Sequence, residues 1–381
     1  MGYTSDSRIT DAINHMNVDL MGFAYQKVAK KAFFAMDPDK AHSQMISMSR
    51  KMGRIAPLMR LLRSMIDYTD PVLETSVAGV DFSNPFGLSA GLDKNCDLPV
   101  LLDNAGFGFE TVGSTTARPC PGNPRPWFHR LPQYNSMVVH AGLANDGSHI
   151  VMQRVEKAAQ KSKTMRMSVS IARTNDDLCG DIKEGIEDYA ISFRRAADIT
   201  DMIEINISCP NTRIGEPFSE PENLDRLFSA LDEIDRKQPV FVKMPLNLSW
   251  QHFKQLADVL AEHNVQGLSI ANLQKNREGL DVPADWKGGL SGLPCLKDSD
   301  RRIAQTYKEY GSRFVVAGIG GVFSPEQAYR KIRNGASLIM FISSLMYLGP
   351  QNISKLKRGL AGLLKRDGFQ SVSQAVGIDV K

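Results

Sequence analysis

The sequence predicts an α/β fold, a (β/α)8 barrel preceded by an N-terminal extension of two helices. Three observations carry that expectation. From about residue 70, short apolar stretches with polar ends alternate with helical segments, and eight such units fit the remaining chain. The intervals between most of these stretches leave room for a crossover helix. No GxGxxG follows the first stretch, as a doubly wound sheet, the runner-up, would normally require. A length of 381 residues suits one large barrel with an appendage.

Residues 1–69 read as the extension and 70–381 as the barrel. In the extension Leu20, Met21, Phe23, Ala24, Val28, Ala32 and Phe33 recur at helical spacing, with Lys27, Lys30 and Lys31 between them. Asp37-Pro38 interrupts the pattern, since proline favours a first-turn position. A second helix then runs through Ala41, Met45, Met52, Leu58, Leu62 and Ile66, with Arg50, Lys51, Arg54, Arg60 and Arg63 on its polar side. Such a pair packs on the barrel or lies on an anionic membrane, and flexible methionines suit a surface that accepts a long apolar ligand. The strands follow at 85–90, 110–115, 167–172, 202–208, 240–244, 267–272, 313–318 and 337–343. Helices are expected at 183–200, 222–236, 250–263, 298–310 and 325–334. Segment 116–165 is too long for a simple connection and predicts a small extra sheet over the barrel mouth.

Composition narrows the function class. A formal charge of +4, from 46 basic and 42 acidic residues, does not by itself imply nucleic acid. The apolar runs are too short to span a bilayer, and the N-terminus lacks the layout of a secretion signal. Five cysteines (Cys96, Cys120, Cys179, Cys209 and Cys295), scattered and without CxxC, argue for reduced thiols facing the cytosol, with neither a disulfide scaffold nor a zinc site. The expected location is the cytoplasm, with peripheral attachment to the cytoplasmic face of the membrane through the N-terminal helices.

A barrel holds its working groups at the C-terminal ends of its strands. Those ends carry Ser89-Ala90-Gly91 and Lys94, then Ser114, then Asn206, Cys209 and Asn211, then Lys243, Asn272, Gly320-Gly321 and Ser343-Ser344. Glycines after strand seven and serines after strand eight are where barrels commonly hold a phosphate. Lys243 lies in an otherwise apolar strand, where an ammonium is costly unless an anion meets it. The three asparagines suit an amide- or imide-edged ligand, although any one of them alone reads equally as loop structure.

SAGLDKN, TVGSTT followed by GNPRP, INISCPNT, VFVKM, GGLSG, AGIGGV and GASLIMFISS resemble, in order and spacing, the dihydroorotate dehydrogenases. DPDKAH with its preceding helix resembles the N-terminal extension of the class 2, quinone-reducing, membrane-associated members. The resemblance implies FMN over the barrel mouth, contacted by Ala90, Gly91, Lys94, Ser114, Asn206, Lys243, Ser291, Gly292, Gly320, Gly321 and Ser343. It implies a substrate with amide or carboxylate groups facing Lys94, Asn206, Asn211 and Asn272. It also places His42 and Arg130 beside a quinone, the expected electron acceptor. The expected catalytic base is Cys209, where class 2 members have serine and class 1 members cysteine; an unperturbed thiol of pKa ~8.5 is the better base near neutral pH.

Other positions depart from the family pattern. Its Asn-Arg-x-Gly-Phe-Asn stretch reads Val139-His140-Ala141-Gly142-Leu143-Ala144, its Thr-Asn-Thr reads Ala271-Asn272-Leu273, its flavin-side asparagine after strand three reads Ser170, and its tyrosine on strand eight reads Ile342. Each polar group thus left unsatisfied on a bound ring costs about 1–3 kcal/mol, so Val139, Leu143 and Leu273 point to a less polar substrate. The expectation is therefore a paralogue that desaturates or reduces a C–C bond in a substrate other than dihydroorotate, within a biosynthetic pathway. The alternatives are a quinone-dependent dihydroorotate dehydrogenase and a non-catalytic flavin-binding protein.

Overall fold

The computed structural model describes residues 5–162, 164–213 and 215–380. The side chains of residues 5–13 and of Cys179, one of the five cysteines, lie outside that description. Eight parallel strands close into a barrel: β1 (Phe86–Leu88), β2 (Phe109–Thr115), β3 (Arg166–Ile171), β4 (Met202–Asn206), β5 (Val240–Met244), β6 (Gly267–Ile270), β7 (Val315–Ile319) and β8 (Ala336–Phe341). Each strand pairs with the next in chain order, and β8 closes on β1 through Ile339 opposite Phe86. The outer helices Ile182–Ala196, Pro221–Asp232, Trp250–Ala261, Leu296–Tyr310 and Pro325–Arg333 bury apolar faces on the strands. Several starts are written locally. The Ser249 side chain accepts from His252 N, and Ser324 with Gln327 forms a reciprocal capping box.

The barrel floor is apolar. Phe109, Met202, Phe241 and Leu338 cluster with Val77 and Phe82 of the antiparallel hairpin Thr75–Val77/Val80–Phe82, which plugs the N-terminal end. Over the opposite end lies a three-stranded antiparallel sheet. Two strands, Phe128–Leu131 and Ser136–Val139, come from the expected segment; the third, Gly289–Gly292, arrives from beyond β6. The rest of that segment is mostly loop, with the helix Ser148–Lys161 as the crossover from β2 to β3.

The N-terminal extension departs from two helices. Its first helix runs Ser5–Ala24, passes through a π-helical turn at Tyr25–Ala29 and continues to Ala35. Asp37 then caps Pro38–Met52, accepting from Lys40 N at 3.0 Å. The expected single second helix is broken at Gly53–Ile55 and resumes as Ala56–Ile66. Pro57 explains the break: it lacks an N–H and is tolerated in the first turn, so the chain restarts there. The extension is fastened to the C-terminal helix Asn352–Arg366 by Lys357–Asp67 at 2.9 Å and Lys355–Asp19 at 2.6 Å. Gln26 Nε2 also donates to Tyr347 O at 2.6 Å.

Candidate active site

Successive side chains of a strand face opposite ways, so Met202, Glu204 and Asn206 of β4 share one face and Phe241 and Lys243 of β5 share another. Register sets Glu204 beside Phe241 and Asn206 beside Lys243. Met202 and Phe241 belong to the floor cluster, so these faces point inward and run from an apolar floor to a polar mouth.

At the mouth the polar groups hold one another. Asn206 Nδ2 donates to Ser114 Oγ at 2.9 Å, and Ser114 and Ser170 share a hydrogen bond of 2.9 Å. Tyr189 OH donates to Asn206 O at 2.8 Å. Asn272 Nδ2 donates to Asn206 Oδ1 at 3.1 Å and to Ser208 O at 2.8 Å, while its Oδ1 accepts from Leu273 N at 2.9 Å. The Asn272 amide is therefore engaged by protein on both sides. Ser170 is likewise occupied, as the partner of Ser114. Asn211 Nδ2 donates to Val139 O at 3.0 Å, and Asn211 O accepts from Asn123 Nδ2 at 2.8 Å.

The charged groups sit in contrasting surroundings. Lys243, 5% exposed, donates to Ser89 Oγ at 3.4 Å and faces Glu204 Oε1 at 3.9 Å. Lys94 donates to Gly91 O at 2.9 Å with its ammonium near the rings of Trp127 (5.9 Å) and Phe128 (5.4 Å). Burial pushes that ammonium down to about 8, opposed by Asp93 and Asp39. Cys209 is half-buried and lines the cavity. Burial pushes its thiol up to about 11, against the pull of the Asn211 backbone N–H and of Lys243. The sequence had suggested an ordinary thiol; enclosure makes it a stronger base that is less often ionised.

Two glycines are required by the fold. Gly321, at φ +72°, would place a Cβ 2.5 Å from Leu296 Cβ, and Gly292, at φ +82°, would place one 2.3 Å from Asn135 O. Ser343 Oγ donates to the Oγ of Ser291, the residue before Gly292, at 3.0 Å.

One cavity of about 530 Å³ brings these groups together. Its walls include Ala90, Gly91, Lys94, Ser114, Asn206, Cys209, Asn211, Lys243, Asn272, Ser291, Gly292, Gly320, Gly321 and Ser343, together with the apolar Val139, Leu143 and Leu273. The same cavity continues between the N-terminal helices, past His42 and Arg130 to Met21, Phe33, Met45 and Met52. The His42 ring lies 5.2 Å from Phe128, and burial, aided by Lys94 and Arg125, pushes its pKa down to about 3. Arg130 stands over Phe34 at 4.8 Å and donates to Met36 O at 2.8 Å.

Sequence reasoning missed several supports of this site. Glu204 beneath Lys243 and Tyr189 behind Asn206 were not singled out. Glu204 carried a signal, being the one charge in an apolar strand, two residues from Asn206 on the same face. Trp127 comes close to Lys94, whereas Trp286 stacks on His129 at 4.0 Å and Tyr134 OH accepts from Asp281 N, both outside the cavity wall.

The comparisons with known proteins agree with this geometry. A family model described as dihydroorotate dehydrogenase matches residues 72–364. A Thermobifida fusca protein named dihydroorotate dehydrogenase (quinone) is 33% identical over 367 residues, covering 93% of this chain and 97% of its own. A Parvibaculum lavamentivorans protein of the same name is 34% identical over 357 residues, covering 93% and 98%. The crystal structure of an Eimeria tenella dihydroorotate dehydrogenase in complex with ferulenol superposes with a TM-score of 0.80 at 26% identity, covering 90% of this chain and 96% of that one. A motif-bearing barrel mouth, a family match across most of the chain and relatives aligned nearly end to end converge: this chain belongs to the dihydroorotate dehydrogenase family of FMN-dependent oxidoreductases acting on CH–CH bonds.

Proposed function

We propose that this chain oxidises dihydroorotate and passes the electrons to a quinone through the continuous cavity that joins the barrel mouth to the N-terminal helices. That continuity is the observation that carries the reading. One end offers Cys209, Lys94 and Asn211; the other offers a methionine-rich apolar chamber with His42 and Arg130. The names of the relatives favour dihydroorotate over the different substrate that the sequence had suggested.

The residues present fit FMN. Lys243 is buried with only long contacts below it, which leaves its ammonium free to meet an anionic ring edge. Ser343, Ser291, Gly320 and Gly321 line the cavity where a phosphate belongs on this fold. Asn206 and Ser114 would hold the ring from the β4 and β2 ends. When bound, FMN supplies the two-electron acceptor that takes the hydride.

The chain's own residues do the rest. Cys209 Sγ, as thiolate, takes the proton from the substrate carbon next to the one that loses hydride, leaving a C=C bond. Lys94 holds the substrate carboxylate, and Asn211, whose Oδ1 lies a long 3.5 Å from His140 Nδ1, meets its amide edge. Val139, Leu143 and Leu273 exclude water from that wall. On the other side His42 stays neutral across the working pH range and offers its one ring N–H to a quinone oxygen. Leu20, Phe23, Val28 and Leu61 are exposed, with Lys27, Lys31, Arg54 and Arg60 around them. They supply a peripheral contact with the cytoplasmic face of an anionic membrane. No helix among the described residues is long and apolar enough to cross one.

The test is anaerobic addition of dihydroorotate to the purified flavoprotein, followed by a short-chain quinone. Bleaching at 450 nm and recovery on quinone addition is the expected result. One observation favours a second reading: the apolar wall of Val139, Leu143 and Leu273 faces the substrate side. No bleaching by dihydroorotate, with bleaching by another saturated amide or acid, would decide for that paralogue.

A further inference from the structure

The strands β4 and β5 each turn one charged side chain into the barrel among apolar neighbours. Glu204 is 2% exposed and Lys243 is 5% exposed. Charges so deeply enclosed persist when they compensate one another. Here the compensation is incomplete in an informative way. The two groups face each other at 3.9 Å, and Glu204 Oε1 has no hydrogen-bond partner among the described residues. Lys243 and Asn206 line the cavity, while Glu204, two residues before Asn206 on the same inward face, lies one layer beneath the wall. The ammonium is thus held between a carboxylate below and the ligand space above.

We propose that Glu204 is a positioning residue that sets the reduction potential of the bound flavin by balancing the charge of Lys243. The proposal deepens the functional reading above and rests on its assignment of FMN to this cavity. Before reduction, the Glu204–Lys243 pair is neutral. When the ring gains negative charge, one ammonium must serve two anions inside a low-dielectric wall, where like charges interact strongly. The carboxylate therefore resists reduction and keeps the flavin a willing electron donor to its acceptor. Without it, Lys243 would act on the ring alone and stabilise the reduced form.

The experiment is a dye-equilibrated anaerobic titration of bound FMN in the full-length protein, in Glu204→Gln and in Glu204→Asp. The glutamine keeps the shape and loses the charge; the aspartate keeps the charge and loses a methylene. Glu204→Gln should raise the oxidised-to-reduced equilibrium at least tenfold toward the reduced form, about 30 mV for a two-electron couple, and Glu204→Asp should move it less. Equal midpoints in Glu204→Gln and the parent overturn the proposal. So does a larger shift in Glu204→Asp, which would mean that shape matters and charge does not. A glutamine variant that folds but no longer retains FMN, while the aspartate variant keeps the parent midpoint, also counts against it. A parent protein that binds no FMN would defeat the functional reading instead, before the variants are compared.

Discussion

The two ends of the cavity are built on opposite principles. At the barrel mouth, short rigid strands carry polar groups that are already committed to one another. Asn206 is held by Ser114, Asn272 and Tyr189, and Ser208 Oγ donates to Lys243 O at 2.8 Å. Between the N-terminal helices the wall is mostly Met, Phe and Ala, with His42 and Arg130 as its main polar features. The first arrangement discriminates by hydrogen bonds whose loss is costly. The second is adaptable, since unbranched methionines can repack against an apolar surface. The contrast teaches that one continuous space can be given a rigid polar wall at one end and an adaptable apolar wall at the other.

Substitution at the mouth should have the largest effect. Cys209→Ala should slow flavin reduction by substrate about 10²- to 10⁴-fold with FMN still bound, as followed by anaerobic stopped-flow absorbance. A parent-like rate would remove the base from the polar end and erase the contrast.

The pH response sharpens the same point. With the thiol pushed up to about 11, the thiolate fraction rises tenfold per pH unit below that value, so the reduction rate at saturating substrate should climb steadily from pH 6 to 9. With the Lys94 ammonium pushed down to about 8, the KM for an anionic substrate should rise above pH 8 as the charge is lost. A flat rate profile would show that a different group limits the proton step.

A smaller effect is expected at the apolar end. His42→Ala removes one hydrogen-bonding group and should slow quinone-driven reoxidation roughly 3- to 10-fold, leaving reduction by substrate unchanged. If both half-reactions slow together, the two ends are not independent. The smallest effect belongs to the outer surface. Phe23, 62% exposed, should tolerate Phe23→Glu within about 0.5 kcal/mol of stability, while co-sedimentation with anionic vesicles falls.

Much of the barrel was legible because strand periodicity is local. All eight predicted strands correspond to β1–β8, displaced by a few residues at their ends, and the five predicted helices lie where the spacing left room. Glu204 was overlooked because each strand was read for its tip and not for the face below it. The broken second helix was missed because its apolar rhythm continues across Gly53–Ile55, and Pro57 was not weighed against it.

What the sequence determined by itself was the local order: which stretches are strands, where helices begin, and which tips carry Cys209, Lys243 and the glycines. Hydrophobic alternation and capping act within a few residues, so they can be read along the chain. Tertiary structure decided the rest. It brought Gly289–Gly292 to Ser136–Val139 across about 150 residues, set Glu204 against Lys243, and joined the mouth to the helical chamber as one space. It also enclosed Cys209, since desolvation depends on everything packed around a thiol, and no stretch of neighbouring residues encodes that.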